Sequence, residues 1–175
     1  LRNCYGLGPE DPPENEEEIV ATYWVDSTRP DDTGNGLSLA TAKKNLAGVS
    51  GALALLTAVG DILNVVNSAV HDWPTTNPAT GVSITGTSYD SFGVLIRGTN
   101  TLVIPAMATI RPTAAGIHRF VRFRNPAAYC IVENLIFDAT TQVADASEYT
   151  AVEYRDNGQR NIKVRYCAML GGASG

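Results

Sequence analysis

Three aspartates in one short segment are the first residues whose type and spacing could do chemistry. Asp26, Asp31 and Asp32 lie in "VDSTRPDDTGNG", among turn-forming Pro, Gly and Asn residues. Carboxylate oxygens are ligands that Ca²⁺ prefers, so all three are candidate calcium ligands. Their spacing is not that of an EF-hand loop, and Asp side chains in such segments commonly accept hydrogen bonds from nearby amides. We therefore predict a structural turn with no cofactor, and keep calcium as the alternative.

Three arginines occupy matching positions in three similar segments. The segments are "GVLIRGTN" (93–100), "FVRFRNPA" (120–127) and "AVEYRDNG" (151–158), each with Val, any residue, a large apolar residue, Arg and a turn former. If the segments stack as neighbouring strands, Arg97, Arg124 and Arg155 form one column, which is unfavourable unless carboxylates flank it or an anion binds. Arg binds carboxylates and phosphates in a bidentate manner. The column is therefore a candidate glycan-binding site, and flanking by Asp138 and Asp156 is the alternative.

The remaining acidic side chains form no recognisable catalytic set. Glycosidases need two carboxylates, and lyases need a base, often with calcium or an Arg. Two of the acids have cross-strand partners: Glu153 lies opposite Arg122 in this alignment, and Glu133 lies opposite Arg165 when segment 129–137 is aligned with segment 161–169. Neither His has a nucleophile at a matching position. We assign no catalytic residue, and the sequence leaves open whether the chain is an enzyme.

A second pair of matching segments shows how the strands must be arranged. "YCIVENLIF" (129–137) matches "NIKVRYCAM" (161–169), which places Val132 opposite Val164 and Cys130 opposite Ile162. Strand side chains alternate between faces, so the matching apolar residues would form stacked columns. Strands that stack on their equivalents one period later build a parallel solenoid. We predict an all-β solenoid, with residues 60–175 forming about four coils of a parallel β-helix and 139–150 forming a loop.

The segment between Leu39 and Val59 is predicted to be the one helix of the protein. Its apolar residues recur at three- and four-residue spacing, which gives one apolar face: Leu46, Val49, Leu53, Leu56 and Val59. Gly48 and Gly51 weaken this helix. We expect it to cap one end of the β-structure.

The charge distribution separates an N-terminal arm from the rest of the chain. Six of the 18 acidic residues lie in the first 18 residues, and the remainder has equal numbers of acids and bases. There is no basic face for nucleic acid and no apolar run of the ~18 residues of a membrane span. Residues 1–20 are acidic and Pro-rich, which is typical of a disordered tail or a docking arm. In a docking arm, Cys4, Tyr5 and Leu7 would be the apolar contacts.

Three cysteines, an odd number without a Cys-x-x-Cys pair, indicate neither a disulfide framework nor a zinc site. Cys130 and Cys167 do not occupy matching positions in the aligned strands. We therefore expect buried free thiols rather than a disulfide between them.

A segment near the beginning of the sequence resembles a known motif. "YWVDSTRPDDTGNGLSLATAKKNLAGV" (23–49) followed by Gly60-Asp61 is similar to the N-terminal motif of right-handed parallel β-helix proteins of the pectate-lyase-like superfamily. In that motif an aromatic-Val-Asp strand leads to an Asp/Asn/Gly loop, a capping helix and a Gly-Asp pair before the first coil. The resemblance covers roughly residues 23–170. It implies a right-handed β-helix, with residues 21–59 as opening strand, loop and capping helix, and with coils that continue beyond residue 175.

The resemblance also implies a function. We expect a structural and receptor-binding β-helix like those of phage tailspikes and tail fibres, located on a virion tail or an extracellular surface. Residues 1–20 would attach it to the virion, its coils would face cell-surface polysaccharide, and the tailspike resemblance implies a homotrimer. The alternatives are a secreted polysaccharide lyase or hydrolase truncated before its active coils, and a bacterial surface adhesin.

Overall fold

The computed structural model describes residues 20–46, 50–58, 60–67, 70–73, 82–84, 94–100, 106–112, 119–124, 130–140, 150–155 and 162–171. In chain order the strands are β1 (Thr22–Val25), β2 (Ile62–Val65), β3 (His71–Trp73), β4 (Val82–Ile84), β5 (Leu95–Gly98), β6 (Ala108–Pro112), β7 (Arg119–Arg124), β8 (Cys130–Glu133), β9 (Leu135–Asp138), β10 (Thr150–Arg155), β11 (Ile162–Arg165) and β12 (Ala168–Leu170). Two short 3₁₀ helices, Leu39–Thr41 and Ala52–Leu55, are the helical elements of this part of the chain. The predicted all-β class is therefore confirmed for the described residues.

The strands form three sheets in which every pairing of two strands is parallel. The first sheet has the order β1-β2-β5-β8-β11, the second β12-β9-β6-β3 and the third β10-β7-β4. From β2 onward the chain enters the first, second and third sheets in the same order three times, and then begins again with β11 and β12. Neighbouring strands within each sheet therefore come from successive passages of the chain.

The core lies against one face of the first sheet. Leu63, Ile96 and Val132 are register partners on β2, β5 and β8, and their side chains are 0%, 1% and 0% exposed. Strand side chains alternate, so the residues between them lie on the opposite face. Burial of each such side chain contributes about 1.5–3 kcal/mol relative to leaving it exposed.

The second sheet adds a matching apolar column. Ile110 and Phe137 are register partners on β6 and β9, and both are buried in the same core. His71 is the partner of Ile110 on β3 and is also buried, with Nε2 2.6 Å from the carbonyl oxygen of Val66. His71 therefore packs in line with Ile110 and Phe137, at the β3 end of this column.

Two predicted registers are confirmed. β8 and β11 pair Val132 with Val164, as the alignment of the two segments required. β7 and β10 pair Arg122 with Glu153. Cys130 pairs with Ile162 in register, and Cys130 and Cys167 are both free thiols.

The predicted column of three arginines is wrong at Arg97. Arg124 and Arg155 are register partners in the third sheet, but Arg97 lies on β5 in the first sheet, between Asn64 and Glu133. The Val-x-apolar-Arg pattern occurs in strands of two different sheets. An alignment by pattern does not distinguish them, because all of these strands have the same alternation.

The predicted helix over 39–59 is also wrong. Ala42 is extended, with ψ 148°, and Lys43 forms a parallel bridge with Val25 of β1. Gly51, before the second 3₁₀ helix, is extended as well. These backbone conformations divide the segment into short pieces. Its apolar residues nevertheless cover the core, since Leu46, Leu53 and Leu56 are all at most 4% exposed and join the same cluster as Val25.

Several predictions concern residues outside the described part of the chain. They include the arm with Cys4, Tyr5 and Leu7, most of the 139–150 loop, and Val49 and Val59 of the expected helix. Within the described ranges, no helix has the length and apolar character needed to cross a membrane.

Candidate functional site

A row of five side chains crosses the first sheet on the face opposite the core. We call it the polar row; it consists of Trp24, Asn64, Arg97, Glu133 and Arg165, one from each strand. Each is the register partner of the next, and parallel in-register strands bring equivalent residues to about 4.8 Å spacing between strands. On β1, β2, β5 and β8 the alternate residues are buried in the core, so the row must lie on the other face. The register alone therefore gathers an aromatic ring, an amide, two guanidinium groups and a carboxylate.

A pocket of about 260 Å³ opens on this row. Its lining consists of Trp24, Asn64, Arg97, Gly98, Thr99, Glu133 and Asn134. Pockets for drug-sized ligands measure roughly 300–1,000 Å³, so this one suits a smaller group such as a single sugar ring. The lining combines one aromatic surface with several hydrogen-bonding groups.

Arg97 is held in a defined orientation by its neighbour on β2. Its Nε donates a 2.8 Å hydrogen bond to Oδ1 of Asn64, whose side chain is 3% exposed. The bond engages Nε, and the guanidinium still offers the N–H groups of its two terminal nitrogens. Because the plane of the group is fixed before a ligand arrives, little side-chain entropy remains to be lost on binding.

Glu133 is paired with the next residue of the row. Arg165 Nε donates a hydrogen bond to Oε2 of Glu133, and Glu133 is 8% exposed. A buried carboxylate needs such a charged partner, because an unpaired charge in this position would be costly. The cross-strand pair predicted from the sequence is therefore confirmed.

Two residues of the pocket lining, Gly98 and Asn134, have their backbones in close contact. A Cβ at Gly98 would lie 2.0 Å from the carbonyl oxygen of Asn134, so only glycine fits at position 98. Asn134 has φ 56°, in the left-handed region that Asn tolerates better than most residues. It is 6% exposed, and its Oδ1 has no hydrogen-bond partner in the part of the chain that the structure describes. A buried acceptor without a partner in the pocket lining can accept a hydrogen bond from a ligand.

The charges of the polar row leave a positive balance. Arg97 and Arg165 are cationic, while Glu133 is the one carboxylate among the described residues that line the pocket. Glycosidases use two carboxylates on opposite sides of the bond that they cleave. With Glu133 paired to Arg165, the free donors of Arg97 are suited to binding a polar or anionic ligand.

The calcium candidates serve as turn-forming residues. Asp26 Oδ1 accepts bonds from the amide and the hydroxyl of Thr28, at 3.0 and 2.8 Å. Asp31 Oδ1 does the same with Thr33, at 2.9 and 2.6 Å, and these bonds lower the pKa of the Asp31 carboxyl. Both carboxylates stabilise their own local turn.

Asp32 instead connects two segments. Its Oδ1 accepts hydrogen bonds from the amides of Lys44 and Asn45 at 2.7 and 2.8 Å, and Oδ2 accepts one from Asn45 Nδ2 at 2.5 Å. Lys43 Nζ donates to the backbone carbonyl of Asp32. Over the described ranges, no three acidic, His or Cys side chains converge in a way that could hold a metal ion. The structure does not bring the three aspartates into one site.

The Gly60-Asp61 pair forms the turn that leads into β2. Gly60 has φ 85°, and the buried Asp61 accepts hydrogen bonds from the amides of Thr57 and Ala58 through Oδ2, both at 2.8 Å. The carboxylate thus closes the last turn before the strand. This role requires a glycine followed by an acidic side chain, which accounts for the pair on structural grounds.

Trp24 and Asn64 are the site residues that the sequence reasoning missed. From the sequence, Trp24 belongs only to the opening strand of the resembled motif and Asn64 only to the predicted coils, and neither is predicted to bind a ligand. The signal was the recurrence of polar side chains at similar intervals along the chain, from Asn64 to Arg97, Glu133 and Arg165. These intervals are not equal, because the connections between the strands differ in length, and the period is therefore obscured.

No family model, curated protein or solved structure matches this chain.

Proposed function

We propose that the chain forms the coils of a right-handed parallel β-helix similar to the N-terminal part of pectate-lyase-like proteins. The regular order in which the chain enters the three sheets supports this, as does the parallel, in-register pairing within each sheet. Connections between parallel strands of one sheet are right-handed in about 98% of cases, which supports the hand. The segment after β1 also supports it, because Gly36 and Lys43 hydrogen-bond to the backbone of Trp24 at the outer edge of the first sheet.

We propose that this β-helix binds glycan on the polar row. The observation that carries the proposal is the pocket in which the ring of Trp24 accompanies a guanidinium held by Asn64. Sugar rings have apolar C–H faces that pack on aromatic rings, while their hydroxyl groups need amide and guanidinium partners. A row that runs from strand to strand also matches an extended polymer. An acidic sugar would meet Arg97 in a bidentate contact.

The role that fits this chemistry is recognition of a cell surface, as in a phage tailspike or tail fibre. The acidic arm at residues 1–20 would attach the protein to the virion, and the coils would present the polar row to host polysaccharide. The homotrimer follows from the tailspike resemblance. A surface adhesin would use the same binding chemistry in a different assembly.

The enzymatic alternative receives less support from the described residues. A hydrolase would need a second carboxylate near Glu133, and Glu133 itself is ion-paired with Arg165. The test is therefore designed to detect both binding and product formation.

The experiment measures calorimetric binding of acidic and neutral oligosaccharides to the wild-type chain, Trp24→Ala and Arg97→Gln. Both variants should weaken binding by about tenfold or more, since each removes one main contact. Arg29→Gln is the matched control, because Arg29 lies in the loop after β1, outside the pocket lining, and the change in charge is the same. Thermal melts of each variant verify folding.

Two results would overturn the proposal. One is wild-type affinity in both pocket variants, and the other is the absence of binding to every glycan by a folded chain. New unsaturated or reducing ends, formed over time from a bound oligosaccharide, would instead favour the lyase or hydrolase.

A further inference from the structure

The pocket on the polar row contains a buried acceptor that is held in place by its own backbone. Asn134 lines the pocket, is 6% exposed, and has no hydrogen-bond partner for Oδ1 among the described residues. Its amide donates to the carbonyl oxygen of Arg165 at 3.4 Å, and its own carbonyl lies against Gly98. An unpaired buried acceptor is costly, and a donor brought by a ligand removes that cost. The ligand of this pocket is therefore one that carries a donor for Asn134.

The burial of this acceptor favours an amide N–H over a hydroxyl group as the donor. A hydroxyl group brings one donor together with two acceptor lone pairs, and lone pairs that become buried need donors of their own. An amide nitrogen brings its donor without a further acceptor, and the amide carbonyl points to the opposite side of the planar group. An amide N–H thus pairs with Asn134 without burying a second polar atom.

The cation of the pocket selects a second group on the ligand. Arg97 uses Nε for its bond to Asn64, which leaves the N–H groups of its two terminal nitrogens. Glu133 is the one carboxylate among the described lining residues, and it is paired with Arg165. A guanidinium group with two such donors matches a carboxylate in a bidentate contact.

The two polar contacts lie on neighbouring strands. Arg97 is on β5, and Asn134 directly follows β8, the next strand of the first sheet. In-register strands are about 4.8 Å apart, so a carboxylate and an amide on opposite sides of one sugar ring can reach both residues. Trp24 lies two strands from Arg97 on the other side, where its ring can pack on the apolar carbons of the sugar.

We propose that the pocket binds an acidic sugar that carries an acylamino group, an inference that rests on the glycan binding proposed above. The carboxylate of the sugar accepts hydrogen bonds from Arg97, and its amide N–H donates to Oδ1 of Asn134. Asn134 is then the residue that determines specificity, because it separates acylamino sugars from sugars with a hydroxyl group at the same carbon. A site built to bond a particular N–H rejects the analogue that lacks it.

The test compares two ligands that differ only in this amide. They are the methyl α-glycoside of N-acetylneuraminic acid and its analogue with a hydroxyl group in place of the acetamido group, and both carry the same carboxylate. Titrations followed by ligand-observed NMR give the two dissociation constants. The wild type should bind the acetamido sugar about tenfold more tightly or better, because only this ligand places an amide N–H on Asn134.

Asn134→Gly tests the acceptor itself. Glycine adopts φ 56° without strain, so the substitution removes Oδ1 and preserves the backbone. Affinity for the acetamido sugar should fall about tenfold, and affinity for the hydroxyl analogue should change by less than about threefold. Tyr166→Gly is the matched control, because Tyr166 has φ 53° and lies outside the pocket lining. It should leave both affinities unchanged.

The possible failures separate this inference from the proposed function. Equal affinity of the wild type for the two ligands, or an undiminished preference in Asn134→Gly, would overturn the acylamino class and leave glycan binding in place. Binding of other oligosaccharides but of neither ligand would do the same. A folded chain that binds no glycan, in this titration or in calorimetry, would overturn both.

Discussion

Arg97 Nε donates a 2.8 Å hydrogen bond to Oδ1 of Asn64, its register partner on the neighbouring strand. The bond joins two residues that are far apart in the sequence. It orients a guanidinium group along the wall of the pocket, where Trp24 supplies an aromatic surface. The orientation of this guanidinium and the pairing of the two strands therefore depend on the same contact.

A double-mutant cycle at this pair should show a coupling energy of about 1.5–3 kcal/mol, the contribution of a hydrogen bond with a charged partner. The three variants are Asn64→Ala, Arg97→Ala and the double variant, and their stabilities are measured by urea unfolding. Residues in direct contact are not additive, so the cycle isolates their interaction. Strictly additive losses would mean that the bond contributes nothing to stability.

Gly98→Ala should destabilise the protein by about 3 kcal/mol, the upper end of the usual range for overpacking. The new Cβ would meet the carbonyl oxygen of Asn134 at 2.0 Å, and this atom belongs to the backbone and has little freedom to move. Gly60→Ala is the control, because there the nearest atom is 3.0 Å away in the side chain of Val20. Its cost should be about 1 kcal/mol, from the positive φ. Thermal unfolding that ranked Gly60→Ala as the more damaging variant would contradict the close contact.

Asp32→Ala should lower the free energy of unfolding by about 2–3 kcal/mol, because it leaves donors without their charged acceptor. The substitution removes three hydrogen bonds, from the amides of Lys44 and Asn45 and from the side chain of Asn45. Asp31→Ala, the control, loses only bonds within its own turn and should remain close to the wild type. Chemical denaturation measures both.

The same variants test the calcium alternative. The donors around Asp32 are protein groups, so added calcium or a chelator should leave the melting temperature of the wild type unchanged. A calcium-dependent rise that disappeared in Asp32→Ala would establish a metal site at this loop.

Burial raises the pKa of both described thiols, Cys130 and Cys167. A thiol whose pKa is higher in the folded than in the unfolded state stabilises the fold at pH values below the unfolded pKa, which is about 8.5. This stabilisation is lost as the pH rises through the folded pKa. Stability should therefore fall on the alkaline side, and Cys130→Ala should reduce that fall. Unfolding curves at pH values from neutral to alkaline measure it.

The same burial should slow alkylation of Cys130 by roughly tenfold or more relative to the denatured chain, because the thiolate is the reactive form. Peptide mapping by mass spectrometry reports each cysteine separately. Modification of Cys130 at the denatured rate in a native sample would contradict its position in the core.

The strand registers were predictable where similar loops separate similar strands. The constant shift between the β8–β9 and β11–β12 segments placed Val132 opposite Val164 and Glu133 opposite Arg165, as observed. Alternation of apolar and polar residues carries this information, because a one-residue slip would expose the whole apolar set. The resemblance to an aromatic-Val-Asp opening strand likewise placed β1 correctly in the chain.

The helix expected over 39–59 failed because local propensity competes with pairing at the edge of the sheet. Apolar residues at three- and four-residue spacing in an Ala-rich segment favour a helix. In the structure, however, Lys43 pairs with Val25, and Asp32 accepts hydrogen bonds from the amides of Lys44 and Asn45. The apolar residues that the structure describes were still identified correctly as core. Hydrophobicity fixes which side chains are buried even where the backbone takes another form.

The amino-acid order alone determined the all-β class, since alternation of apolar and polar residues allows one face of a strand to be buried. It also determined which residues face the core. Membership of the polar row was decided by the folded chain, which brought Trp24, Asn64 and Arg97 onto adjacent strands of one sheet. The physical reason is that all strands share the same alternation, while the connections between them differ in length. Which strands become neighbours is therefore set by how the passages of the chain pack around a common core.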